Sequence, residues 1–271
     1  MGLRAVDRLY DCPDYKVKYV VSSRGSAELE KRNVVTTPWD EAIKDADILV
    51  AAIPDRLIGD ILKKYVPLLK SGTLVMTLDP AAARAGVFPK REDIAYFVTH
   101  PCHPSIFNKE PELEARLDYF GAIKAKQSIV NALVQGSEDD YVRGEKLAKT
   151  LYSPLLNSHR ITVEQMTLLE PALTETLGAT CAVVIKEGLD HIIGLGVPEE
   201  AARDFLMGHL NTAFAIAFNE LDTQFSDGCI KAIERAKTEI FKPDWKKIFD
   251  DEMVLQEVRA IANVAGEEDA E

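Results

Sequence analysis

Three apolar runs of this sequence each end in a polar residue beside a proline, and this repetition constrains the fold more than any other feature. The runs cover residues 47–53, 73–78 and 95–98, and they stop at Pro54-Asp55, Asp79-Pro80 and His100-Pro101. Each run is apolar throughout, which is typical of strands in a parallel sheet covered on both faces. Helix-forming segments separate the runs. We therefore predict an α/β fold in which the three polar steps meet at the carboxyl edge of one sheet, where such folds bind ligands.

Two histidines, each followed by a proline, end the third run. Proline donates no backbone N–H and pushes the preceding residue toward extended geometry, so we expect residues 99–104 to leave the sheet as a stiff, extended segment. In a polyproline-like segment His100 and His103 would lie on one side, with about 9 Å between their Cα atoms. A functional site is the preferred interpretation. The alternative is a pair of polar residues in a proline-rich loop.

The rest of the chain divides into an α/β part and a helical part. In the first part the pattern predicts helices at 2–11, 26–31, 40–45, 57–69 and 138–151, and further strands at 15–21, 128–134 and 159–163. From Glu164 onward it favours helices, at 164–193, 199–224, 227–240 and 254–265. We therefore predict a parallel-sheet domain over residues 1–160, followed by an all-helical domain over residues 161–271.

Charge and cysteine usage bear on partners and compartment. The formal net charge of −12 disfavours nucleic acid and anionic membrane surfaces as partners, because both bind basic faces. The four cysteines lie far apart without metal-binding spacing, which indicates a reducing compartment. We find no apolar stretch of the ~18 residues needed to span a bilayer and no signal peptide, and we expect a cytoplasmic protein.

Four segments together carry a specific family resemblance. They are Thr77–Ala83 (TLDPAAA), Tyr96–Asn108 (YFVTHPCHPSIFN), Val163–Thr176 (VEQMTLLEPALTET) and Ser226–Gly228 (SDG). In these segments, and over nearly its whole length, the chain resembles the D-apionate oxidoisomerase group of the phosphogluconate-dehydrogenase-like and ketol-acid-reductoisomerase-like superfamily. The resemblance implies a Rossmann domain that binds NAD or NADP, and a helical domain that forms a homodimer and completes the active site. The implied activity is oxidation of a small branched sugar acid with a carbon-skeleton shift, assisted by a divalent metal such as Zn, Mg or Ca.

The resemblance also implies roles for individual residues. His100 lies where related dehydrogenases place the histidine that accepts a hydroxyl proton, and a histidine with an ordinary pKa of about 6.5 suits that role at neutral pH. Glu170, before Pro171, is the second implied catalytic residue. His103 and Glu175 are the implied metal ligands, although His103 is as readily explained as a surface histidine. The implied cofactor-binding residues are Gly2, Ser22, Ser23, Arg24, Pro54, Asp55, Asp79 and Pro80.

Two departures from the family pattern bear on the cofactor. The sequence opens at Met1-Gly2, where the last glycine of a G-x-G-x-x-G loop would lie, so either the true start lies upstream, as we expect, or cofactor binding is impaired. Ser22-Ser23-Arg24 stands where an acidic residue would hold the ribose of NAD. Because these side chains suit a 2′-phosphate, NADP is a candidate beside NAD.

Two other functions fit the same sequence. One is a simple hydroxyacid dehydrogenase without the rearrangement, from which tight metal dependence would distinguish an oxidoisomerase. The other is a non-catalytic dinucleotide-binding or sensor protein, which the absent glycine loop would explain.

Overall fold

The structure, a computed structural model, describes residues 2–21, 23–121 and 123–264, with the side chains of residues 23 and 24 outside the description. The chain divides into two compact units. The first contains the residues up to Leu169 and those from Leu255 onward, and the second is Glu170–Val254. The sequence-based boundary near residue 160 stays a prediction.

The first unit is built on a five-stranded sheet, which confirms the α/β fold. Its strands lie in the order of the chain: Ile48–Ala51 (β1), Leu74–Thr77 (β2), Ala95–Pro101 (β3), Gln127–Gln135 (β4) and Leu155–Arg160 (β5). The first three strands are parallel, with Ala51 opposite Thr77 and Thr77 opposite Val98. The three apolar runs of the sequence therefore share one carboxyl edge, as predicted.

The expectation of a wholly parallel sheet is wrong at β4. This strand runs antiparallel to β3, with His100 opposite Val130, and β5 runs parallel to β4. A parallel connection needs a crossover of a dozen or more residues, usually a helix. Between β3 and β4 the described residues hold only the short helix Leu113–Arg116 (α6), and the chain turns back without such a crossover.

Two predicted strands also differ from the structure. Residues 15–21 form no strand ladder among the described residues, because Tyr19 makes only a single parallel bridge to Thr36. The predicted strand at 159–163 ends instead at Arg160. There Thr162 caps the next helix, since its side chain accepts from the backbone N–H of Gln165 while the Gln165 side chain accepts from that of Thr162.

The helices of the first unit cover both faces of the sheet. They are Gly2–Leu9 (α1), Ser23–Glu30 (α2), Trp39–Ile43 (α3), Asp55–Tyr65 (α4), Ala81–Arg84 (α5), α6, Glu138–Leu151 (α7) and Val163–Thr167 (α8). On one face Phe97 and Met76 pack with buried residues of α7. On the other face Val75 and Tyr96 pack with residues of α4. Each large side chain buried in this way contributes about 1.5–3 kcal/mol.

The second unit is helical, as predicted. Its helices are Thr180–Gly194 (α9), Glu199–Ala217 (α10) and Asp227–Ile240 (α11), followed by the 3₁₀ helix Trp245–Phe249 and by Asp251–Ile261 (α12), which continues into the first unit. A π-helical segment, Leu168–Ala179, precedes α9 and contains a break at Glu170, whose backbone is extended (φ −139°, ψ 122°).

One helical stretch corrects an expectation from the sequence. Val163–Gly194 is long and apolar enough to cross a membrane by length and composition, and 11% of its most apolar window is buried. Pro171 and the extended backbone at Glu170 interrupt the helix. A lipid-exposed break of this kind leaves backbone groups without partners in hydrocarbon. The stretch therefore offers a large apolar surface, but not an intact spanning helix.

Candidate active site

Asp79 is fixed where β2 ends. Its carboxylate Oδ1 accepts a hydrogen bond from the backbone N–H of Ala81 at 2.9 Å, and the Thr77 hydroxyl donates to its backbone carbonyl at 3.2 Å. A short Asp side chain that bonds the backbone two residues on forms a local turn. This turn leads into α5 and leaves Oδ2 directed toward the neighbouring strand, 3.8 Å from the imidazole Nδ1 of His100.

The prediction that residues 99–104 leave the sheet is wrong as far as Pro101. β3 continues to Pro101, so His100 lies on the strand itself, paired with Val130 of β4. A proline at the last position of a strand removes only one donor from the ladder. The Nδ1 atom of His100 lies 2.8 Å from the backbone carbonyl of Leu78. Since a carbonyl oxygen can only accept, Nδ1 carries the hydrogen and donates it. In the neutral imidazole the lone pair is therefore on Nε2. The side chains of His100 and Asp79 are 18% and 26% exposed, so both can reach a bound molecule.

This pair can act as a base or bind a metal. An imidazole whose Nδ1–H is held by a carbonyl presents Nε2 in a fixed direction, either to accept a proton or to ligate a metal ion. Asp79 and His100 offer ligand atoms within 4.8 Å of each other. A carboxylate beside an imidazole fits a divalent metal of the zinc or manganese type better than calcium, which prefers oxygen ligands alone.

His103 is also held by a carbonyl group. Its Nδ1 donates to the backbone oxygen of Phe120 at 2.9 Å, and its ring lies edge-on to that of His100 with 6.3 Å between centroids. The structure thus brings the two predicted histidines together. The extended, polyproline-like geometry predicted for this segment is wrong at His103, whose φ of 57° lies in the left-handed region. Such backbone strain is frequent at functional sites.

The described cofactor-binding candidates lie at the carboxyl ends of β1 and β2. Pro54 and Asp55 follow β1 and open α4, and Pro80 opens α5. Gly2 begins α1, and a Cβ there would lie 3.4 Å from the backbone oxygen of Ala52, so this helix starts beside the end of β1. Ser22 and the side chains of Ser23 and Arg24 lie outside the described residues, so the NADP hypothesis that depends on them stays a prediction.

The remaining two candidates belong to the second unit. Glu170 is its first residue and lies at the break in the helix, before Pro171. Glu175 lies five residues further on in the same π-helical segment. Their predicted roles in catalysis and metal binding stay predictions.

Sequence reasoning missed Asp118. Its carboxylate Oδ2 accepts three backbone hydrogen bonds, from Ile123 at 3.1 Å, Lys124 at 2.9 Å and Ala125 at 3.1 Å. Burial by itself raises the pKa of Asp118, but the three N–H donors and the charge of Arg4 outweigh it and hold the pKa below its usual range. In the sequence, an aspartate three residues before Gly121 is consistent with a turn. It does not show that the backbone N–H groups of residues 123–125 bond to Asp118.

Comparisons with known proteins identify the family of the chain. The family described as phosphogluconate dehydrogenase (decarboxylating) C-terminal matches residues 108–262. The chain is 47% identical over 263 residues to a D-apionate oxidoisomerase of Cupriavidus necator, covering 96% of this chain and 95% of the relative. It is 45% identical over 249 residues to a D-apionate oxidoisomerase of Rhizobium rhizogenes, covering 91% and 90%.

A solved structure shows the same fold. The crystal structure of a semialdehyde dehydrogenase NAD-binding protein from Cupriavidus necator, in complex with calcium and NAD, superposes with a TM-score of 0.93 at 47% identity, covering 96% of this chain and 95% of that one. The Rossmann-type sheet, its polar carboxyl edge and the helical unit define an NAD(P)-dependent oxidoreductase that acts on a CH–OH group. Within that class, the chain belongs to the D-apionate oxidoisomerase family.

Proposed function

We propose that this protein oxidises D-apionate, a branched sugar acid, with NAD and shifts its carbon skeleton in the same active site. Two relatives with this name are 47% and 45% identical to nearly the whole chain. The observation that carries the proposal is the fixed imidazole of His100, which lies beside Asp79 at the ligand-binding edge of the sheet.

In the proposed reaction His100 accepts a proton. Its Nδ1–H stays bonded to the Leu78 carbonyl, so Nε2 takes the proton of the substrate hydroxyl, and the imidazolium that forms lies 3.8 Å from the Asp79 carboxylate. NAD, when bound, supplies the acceptor for the hydride that leaves the same carbon. Gly2, Pro54, Asp55, Asp79 and Pro80 are the residues proposed to hold it, and Glu170 is proposed as the second catalytic residue.

A divalent metal is part of the proposal. The crystal structure from Cupriavidus necator contains calcium with NAD. A metal would supply Lewis-acid polarisation of the substrate oxygens. Asp79 is a described carboxylate that could bind it, and Glu175 keeps its predicted role as a ligand. His103 is also a predicted ligand, but its Nε2 has a single lone pair, which serves either the metal or a substrate hydroxyl.

The deciding experiment measures NADH formation and product structure together. The protein is incubated with D-apionate and NAD, with and without added divalent metal, and the product is identified by ¹³C NMR. We expect NADH and a product with a rearranged carbon skeleton in equal amounts. NADH with an unrearranged oxo acid would support the simple hydroxyacid dehydrogenase instead, and tight NADH binding without turnover would support a non-catalytic dinucleotide-binding protein.

We further propose a cytoplasmic homodimer formed through the second unit. Helices of this unit carry many large apolar side chains that are at least 40% exposed: Val183, Val184, Ile192, Leu195, Phe205, Met207, Phe214 and Phe218. Exposed large apolar side chains in this number indicate an interaction site when they lie together on the surface. A second copy of the same helices is the occupant that the family resemblance implies.

A further inference from the structure

The backbone carbonyl of Phe120 joins two distant parts of the first unit. It accepts a hydrogen bond from the guanidinium Nη1 of Arg4, on α1, at 3.0 Å. It also accepts one from Nδ1 of His103, on the loop after β3, at 2.9 Å. A carbonyl oxygen has two lone pairs, so these two donors account for both.

This shared carbonyl decides which nitrogen of His103 is available. Because Nδ1 donates to Phe120, a hydrogen lies on Nδ1, and in the neutral imidazole Nε2 is the acceptor. The His103 ring lies edge-on to the Phe120 ring, with 5.6 Å between centroids, and this contact also restricts its rotation. The same imidazole lies beside that of His100, the proposed proton acceptor, with 6.3 Å between the two ring centroids.

Arg4 contacts Phe120 in a second way. Its guanidinium carbon lies 4.8 Å from the centroid of the Phe120 ring, a cation–π arrangement. On its other side the loop is held by the three hydrogen bonds to Asp118, and the N–H of Gly121 bonds the Asp118 carbonyl at 3.0 Å. The orientation of the Phe120 carbonyl is thus fixed by Arg4 on α1 and by the hydrogen bonds of Asp118 within the loop.

We propose that Arg4 is a positioning residue that orients His103 through the Phe120 carbonyl, and that Nε2 of His103 accepts a hydrogen bond from a second hydroxyl of the polyhydroxy acid substrate. This inference rests on the proposed function for the substrate class. The link between Arg4 and His103 rests on the geometry alone. Binding one more hydroxyl suits a sugar acid, whose hydroxyl groups are several and need fixing before one of them reacts.

The chain offers a matched control. Arg8 lies one turn further along α1 and also donates to a carbonyl of the same loop, that of Ile123, at 2.9 Å. His103 donates to the Phe120 carbonyl, which Arg4 contacts, and not to the Ile123 carbonyl, which Arg8 contacts. Arg4→Met and Arg8→Met therefore both weaken the attachment of α1 to the loop, but among the described contacts only Arg4→Met removes a bond to the carbonyl that orients His103.

Steady-state kinetics test the substrate part. Arg4→Met is expected to raise KM for D-apionate about tenfold, the loss of one hydrogen bond, while kcat and NADH affinity stay unchanged. Arg4→Lys, which keeps a donor, is expected to restore much of the loss, and Arg8→Met to leave KM unaltered. Arg4→Met and His103→Asn are expected to be non-additive in a double-mutant cycle, whereas Arg8→Met and His103→Asn add. Additive effects of Arg4→Met and His103→Asn, or an equal loss of NADH affinity in Arg4→Met, would overturn the proposal.

A second measurement does not depend on turnover. Two-bond ¹⁵N–¹H correlation spectra distinguish the two tautomers of each of the five histidines, with His103 assigned through His103→Asn. We expect the Nδ1–H form of His103 in the wild-type protein and in Arg8→Met, and a mixture of tautomers in Arg4→Met. If His103 keeps the Nδ1–H tautomer in Arg4→Met, the inference is wrong. Absence of NADH formation by the wild-type protein would instead refute the proposed function, and the spectra would still test the link between Arg4 and His103.

Discussion

Two histidines of the first unit, His100 and His103, owe their orientation to backbone carbonyl groups. The sequence singles out both residues, but it does not predict the carbonyl that orients either ring. The step from His100 to Pro101 is visible in the sequence because it ends an apolar run. The carbonyl that holds His103 belongs to Phe120, 17 residues further on, in a loop whose shape depends on the tertiary contacts of Arg4 and Asp118. No local pattern encodes such a contact, so the left-handed backbone at His103 was not predicted.

Replacement of His100 tests the proton acceptor. A positioned general base contributes about 10²–10⁴-fold, so His100→Asn is expected to lower kcat by that order. Because asparagine can still donate to the Leu78 carbonyl, the fold and the affinity for NADH should be kept. Stopped-flow and steady-state NADH formation give kcat, and His159→Asn, an exposed position on β5, is the control. A His100→Asn protein with the wild-type kcat and pH profile would remove His100 from the mechanism.

Asp118 gives a prediction for stability against pH. Asp118→Asn replaces an acceptor of three backbone N–H groups, and we expect the free energy of unfolding to fall by about 1–3 kcal/mol near pH 7. The folded-state pKa of Asp118 lies below its unfolded value of about 3.9. Its contribution is therefore present above that value and is lost as the pH falls through the folded-state pKa.

The difference between wild type and Asp118→Asn should accordingly be largest near neutral pH and shrink below about pH 4. Urea unfolding at several pH values measures it. Asp60→Asn, at an exposed position of α4, serves as the control and is expected to leave the free energy of unfolding nearly unaltered near neutral pH. A difference that grows as the pH falls would contradict the assigned role of Asp118.

At the scale of elements, a prediction from the sequence succeeded where a local signal marks the start of a helix. The predicted helix at 138–151 matches α7, because Ser137 and Asp140 form a capping box at its start. The same kind of box at Thr162 explains why the predicted strand at 159–163 stops at Arg160. The direction of β4 could not be predicted, since an apolar strand carries no mark of whether its neighbour is parallel.

The contact between α7 and β3 depends on Gly144. A Cβ at this position would lie 2.6–2.8 Å from the buried ring of Phe97. Alanine is favoured over glycine in a helix by about 1 kcal/mol, but overpacking costs about 1–3 kcal/mol, and a fully buried ring cannot move aside. We therefore expect Gly144→Ala to lower the midpoint of thermal unfolding.

Gly208 supplies the matched control for that substitution. It lies inside α10, where a Cβ meets no atom of the chain within 4 Å. Gly208→Ala should keep the helix-propensity gain and raise the midpoint of thermal unfolding. Calorimetry of both variants compares the two effects, and a stabilised Gly144→Ala protein would show that α7 shifts to make room.

At the scale of the whole molecule, the surface of the second unit poses a question that the sequence pattern only partly answers. Helical periodicity predicted α9, α10 and α11, but several of their large apolar side chains are exposed. Phe205 is 68% exposed and packs its ring on His209, with 4.0 Å between centroids. Such a surface is expected to be buried against another molecule. The two alternatives, a second copy of this chain and a lipid membrane, lead to different expected results.

A homodimer predicts twice the chain mass of 30.0 kDa in detergent-free buffer. Phe205→Glu places a charge in the apolar surface of α10 and should shift the protein toward the monomer, because an unpaired charge is costly to bury. Sedimentation equilibrium over a range of protein concentrations measures the change in dimer affinity. The control is Val35→Glu, at a position in the first unit that is 83% exposed and should leave the mass unaltered. If the wild-type protein sediments as a monomer without detergent, the proposed dimer is wrong. If the protein can be purified only with detergent, a membrane is favoured as the partner of the apolar stretch Val163–Gly194.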